Sequence, residues 1–64
     1  MVNDMNVVLD WQQRGMSARV LGLRPTDNPL LARRPARYGV PLAEWQEKCE
    51  AWAFGWSIED ASRH

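Results

Sequence analysis

Apolar residues in the first third of the chain recur at helical spacing. At about 100° per residue, Met5, Val8, Leu9, Gln12 and Met16 share one side, and Trp11, Gly15, Ala18 and Gly22 form a neighbouring strip. The spacing predicts a helix over about 4–21. Asn3 or Asp4 would cap it, Gly22 would stop it, and Pro25 follows just beyond. A glycine inside a helix costs about 1 kcal/mol relative to alanine, so Gly15 predicts close approach by another backbone or a large ring.

A second periodic stretch follows Gly39. Leu42, Trp45, Cys49, Trp52 and Trp56 are spaced 3-4-3-4, the spacing of a packing seam, while Glu44, Glu47, Lys48 and Glu50 fall mostly off it. Pro41 suits the first helical position, and Glu44 suits the first turn. The pattern predicts a helix over about 41–60 with a frayed tail to His64. Phe54 and Ile58 lie off the seam and are expected to be exposed.

Between the periodic stretches, Pro25, Pro29 and Pro35, with Thr26-Asp27-Asn28, break regular structure. Leu30 and Leu31 are expected to pin this connector onto the helices. Its length of about 17 residues exceeds what a compact hairpin needs. The expected fold is all-α. Two helices, about 4–21 and 41–60, are joined by a long irregular Pro- and Arg-containing linker and packed as a helical hairpin, with residues 1–64 forming a single small helix–linker–helix domain. A chain of 64 residues buries little surface, and its four tryptophans supply extra apolar area.

Charge sharpens this picture. The net charge is zero, yet residues 1–13 carry two acids and no Lys or Arg, residues 14–40 carry six arginines against Asp27, and residues 41–64 carry five acids against two cations. Arg14, Arg19, Arg24, Arg33, Arg34 and Arg37, with Tyr38, form a basic block of the residue type best suited to phosphate forks and stacking. These seven residues are the candidate RNA contacts. The bland alternative is a solvated loop whose arginines pair with Glu44, Glu47 and Glu50.

Chemistry is sparse. Cys49 stands alone and sits mid-seam, which fits a buried small apolar residue in a reduced, cytoplasmic protein. No ligand spacing for a metal exists. His64 is lone and terminal, and Asp10, Ser17 and Ser57 offer no triad with it. No Gly-rich phosphate loop appears, and Gly39-Val40-Pro41 is no substitute. The expectation is no catalytic residue, no metal, no cofactor and no enzymatic activity. No apolar run approaches the roughly 18 residues that span a membrane.

The order Gln13-Arg14-Gly15, Ala18, Gly22, then Asn28-Pro29 in a proline-containing linker, then Trp52-x-x-Gly55-Trp56 resembles the ribosome modulation factor family and its small relatives associated with ciprofloxacin resistance. The similarity covers about residues 11–29 and 49–58. It implies a helix–linker–helix fold and, for the ribosome-hibernation members, binding to the small ribosomal subunit near the messenger-RNA exit region. Arg14 maps as the charged position. Gly15, Ala18, Gly22, Trp52, Gly55 and Trp56 map as packing positions, and Trp11, Trp45 and Cys49 join them from the periodicity. The family is strongly basic in its first segment. This chain is acidic there and carries its basic cluster in the linker instead. Two functions remain open: a small non-enzymatic factor that occupies an RNA surface on the ribosome, or a protein–protein interaction module, a regulatory adaptor or homodimer, without nucleic acid.

Overall fold

In the computed structural model, α1 spans Asp4–Val20 and α2 spans Val40–Ala61, with two short 3-10 turns, Pro25–Asp27 and Pro29–Arg33, in the connector. The structure describes residues 4–36 and 38–63, with Asp4 and Met5 by backbone alone. The proposed capping roles of Asn3 and Asp4, the Arg37 side chain and the tail at His64 lie outside the described residues. Among the described residues there is no strand, and the helix bounds fall within a residue of those read from the spacing.

α1 ends where its sequence says it should. The Leu23 N–H donates to the Ala18 carbonyl at 2.9 Å and the Gly22 N–H donates to the Arg19 carbonyl at 3.0 Å, the paired bonds of a Schellman cap. Gly22 has φ 85°, a backbone state that costs other residues about 1–2 kcal/mol. A Cβ there would meet nothing within 4 Å, and the residue is exposed. Gly22 is therefore a stop signal and not a packing position. α2 begins after Gly39, which is also left-handed at φ 122°, and Pro41 is its second residue.

The two helices meet backbone to backbone. A Cβ on Gly15 would overlap the Trp52 carbonyl oxygen and lie 2.8 Å from the carbonyl carbon. A Cβ on Gly55 would overlap the Gln12 carbonyl oxygen and lie 2.7 Å from that carbonyl carbon. Each glycine thus makes room for the other helix's main chain. Of the two close approaches expected at Gly15, another backbone or a large ring, it is the backbone that is found, and Gly55 reciprocates it. On α2 the buried small residues, Ala51 and Gly55, lie roughly 100° around the helix from the line Trp45–Cys49–Trp56. α2 consequently has a small-residue strip for α1 and an aromatic strip beside it.

The sense of packing departs from a hairpin. The ends of the two helices pair in the same order, since Trp11 shares a cavity with Trp45 and Lys48 and Arg19 bonds Asp60, while at the crossing between them Gln12 lies on Gly55 and Gly15 on Trp52. α1 and α2 therefore run in the same sense, whereas a helical hairpin is antiparallel. The connector must travel back along α2 before α2 can start. It does so in order, with Leu23 at Trp56 and Leu30 at Trp45. Seventeen residues of helix rise about 25 Å, which is why this linker is long.

The Cα frame measures 38 × 26 × 14 Å, a slab about two packed helices thick. Such a slab has almost no interior. Its core is Ala18, Leu30, Leu42, Ala51 and Trp52, with Asn28 the one polar residue among the buried set described. Asn28 is satisfied locally, because its Oδ1 accepts the Leu30 N–H at 3.0 Å. Trp52 is only 2 % exposed, while Trp11, Trp45, Trp56 and Cys49 are half-buried.

Candidate functional site

Two tryptophans hold the connector against α2. The Trp45 indole N–H donates to the Leu30 carbonyl at 2.7 Å, and the Trp56 indole N–H donates to the Leu23 carbonyl at 2.7 Å. Each bond uses the single polar group that an indole carries. Between these staples, Asp27 closes the first 3-10 turn by accepting the Arg24 backbone N–H at 2.8 Å. That bond, followed by the Arg24 guanidinium, holds the Asp27 carboxyl below its ordinary value of 3.8. The basic segment is thus mounted on a frame.

The seven candidate RNA contacts divide into two groups. Arg14 pairs with Asp10 at 3.0 Å across one helical turn and lies 4.5 Å over the Trp11 ring. Arg19 pairs with Asp60 at 2.8 Å and lies 5.7 Å from the Trp56 ring, tying together the last turns of the two helices. Arg24 pairs with Asp27. Arg33 and Arg34 make no ion pair with any described residue, and both are exposed. Arg34 lies 5.9 Å from the Trp45 ring and shares a small recess with Tyr38, which is 87 % exposed. Arg37 lies outside the described residues. Among the described residues, no connector arginine forms an ion pair with Glu44, Glu47 or Glu50.

The packing candidates divide as well. Gly15, Ala18, Trp52 and Gly55 are buried at the crossing. Trp45 and Trp56 serve chiefly as donors to the connector. Cys49 is half-buried, and burial, followed by the charge of Glu50, pushes its thiol above the ordinary 9.0. That direction disfavours the thiolate, the form in which cysteine reacts.

Where α1, the connector and the start of α2 converge, they enclose an open cavity of about 590 Å³. Its lining includes the buried Trp52 and Leu30 and the half-buried Trp11 and Trp45. Arg14, Arg33 and Lys48 also line it, against one carboxylate, Glu44. This convergence is not readable from periodicity, because it takes side chains from three segments. Lys48 in particular reads as a solvated position off the seam. Its spacing of three from Trp45 and four from Trp52 was the available signal.

Among the described residues, no group of three or more His, Cys, Asp or Glu side chains is placed to hold a metal ion. No helix formed by those residues is long and apolar enough to cross a membrane. Comparison of the chain with models of known families, with curated proteins and with solved structures finds no match in any of the three.

Proposed function

We propose that this protein is a small, non-enzymatic RNA-associated factor that acts by occupying an RNA surface, with the ribosome's small subunit as the first target to test. The observation that carries this reading is the pair Arg33 and Arg34. Both are exposed, neither is matched by a carboxylate among the described residues, and Arg34 shares a recess with the exposed Tyr38, on the stretch that follows the two points at which the connector is bonded to α2. An exposed, uncompensated pair of guanidinium groups near an aromatic ring suits phosphates and an unpaired base. Arg14 adds to the same side through the shared cavity. Arg19 and Arg24 serve the frame first, since each is held by its own aspartate. The order of small residues and tryptophans that resembles the ribosome modulation factor family supports the choice of target. The cytoplasm is the compartment this function requires.

The test is co-sedimentation of the purified protein with ribosomes and with separated subunits at low and moderate salt. Saturable binding to the small subunit that weakens steeply with salt is the expected result. Protein left at the top of the gradient under both conditions would overturn the reading.

A second reading, a protein-interaction module or homodimer, draws on the apolar side chains that the slab leaves outside. Leu21 is 77 % exposed and Phe54 57 % exposed. A concentration-dependent mass in sedimentation equilibrium, combined with no RNA binding, would favour it.

A further inference from the structure

The cavity between α1, the connector and α2 has a chemistry that is mixed in a specific way. Its walls are flat and aromatic, because Trp11 and Trp45 are half-buried there. The Trp45 ring is fixed by its N–H bond to the Leu30 carbonyl, so what it offers a ligand is a π face. Arg34 lies 5.9 Å from that ring and Arg14 lies 4.5 Å over the Trp11 ring, and these are the cations a base would slide beside or displace. Its lining also carries three cations, Arg14, Arg33 and Lys48. Arg33 and Lys48 form no ion pair with any described residue, and Glu44 is the one acid in the lining. The volume of about 590 Å³ falls inside the range of roughly 300–1,000 Å³ that ligand pockets occupy.

We infer that this cavity receives one unstacked nucleobase of a single-stranded RNA, stacked between Trp11 and Trp45, with the attached phosphate held by Arg33 and Lys48. The inference deepens the RNA reading and rests on it. A planar ring carrying an anionic edge matches a lining of aromatic rings and cations. A fully apolar ligand would leave Arg33 and Lys48 without a counter-charge, and a bare anion would make no use of the rings. A duplex keeps its bases stacked inside and cannot supply one, so the ligand is single-stranded. The Trp45 indole N–H is already committed, so recognition by that ring is through stacking and is tolerant of base identity.

The experiment compares two fluorescently labelled probes on the full chain at moderate salt: single-stranded hexaadenylate RNA and an abasic ribose-phosphate oligomer of the same length. The intact probe is expected to bind at least tenfold tighter and to quench the intrinsic tryptophan fluorescence. Trp11→Leu should erase that difference by weakening the intact probe far more than the abasic one. Lys48→Glu should weaken both probes together, and circular dichroism of each variant checks that the helices persist. Equal binding of the two probes to the wild-type chain would overturn the pocket and leave the arginine connector as a phosphate-binding surface. Failure of both probes to bind would overturn the pocket and the RNA reading together.

Discussion

The helix crossing and the connector solve the same problem, a shortage of interior, by opposite means. At the crossing, side chains are removed: Gly15 and Gly55 let two backbones approach until a single methyl group on either would overlap a carbonyl oxygen. In the connector, the largest side chains are brought in, and Trp45 and Trp56 reach out to carbonyls 15 and 33 residues earlier in the chain. The first device tolerates no added atom. The second tolerates exchange of the ring as long as something fills the space. The crossing therefore sets whether the chain folds, and the connector sets what the folded chain displays.

Substitutions of the same chemical size should separate the two regions most sharply. Gly15→Ala or Gly55→Ala forces the helices apart and should cost about 3 kcal/mol or more. A chain of this size holds roughly 3–10 kcal/mol in total, so a fall in melting temperature of more than about 10 °C is expected. Gly22→Ala adds the same methyl group where nothing lies within 4 Å. It should cost only the backbone strain, about 1–2 kcal/mol. Equal losses at Gly15 and Gly22 would remove the distinction between a packing glycine and a stop glycine.

Trp45→Phe keeps an aromatic ring but leaves the Leu30 carbonyl without its donor, which should cost about 1 kcal/mol. Hydrogen exchange should quicken over residues 28–33 and stay slow across the middle of α2. A global loss of protection would mean that the connector is part of the cooperative core. At the smallest scale, Asp27 has a folded pKa below its ordinary 3.8. Its contribution is present above that value and fades as pH falls through the lower, folded one. A melting-temperature series between about pH 5 and pH 2 should therefore show a slightly steeper acid decline for wild type than for Asp27→Asn. Parallel curves would show that the turn bond adds nothing.

Much of the frame is legible in the residues. Period-3.6 spacing places both helices, Gly22 followed by Pro25 marks a stop, and Gly15 inside α1 announces a close approach. The sense of packing is not legible, because an amphipathic stripe looks the same whichever way its neighbour runs. The one trace of it is the connector's excess length, which a parallel pair requires and a hairpin does not. The roles of the tryptophans are hidden for a related reason. Spacing puts Trp45, Trp52 and Trp56 on one strip, but only Trp52 is buried in the core, while the other two point their N–H groups at a backbone whose path is not local. The cavity is still further from view, since Trp11, Arg33 and Lys48 belong to three segments. The charge block was visible, but not that Asp10, Asp60 and Asp27 would take up Arg14, Arg19 and Arg24.

The most direct measurement is made on one double variant, Arg33→Glu/Arg34→Glu, by recording its melting temperature and its co-sedimentation with small ribosomal subunits beside wild type. Both side chains are exposed and unpaired among the described residues, so the melting temperature should stay within a degree or two, as surface changes usually do. Association with the subunit should be lost. A variant that melts like wild type and still pellets with the subunit would contradict the claim that the anchored connector is the RNA-binding surface.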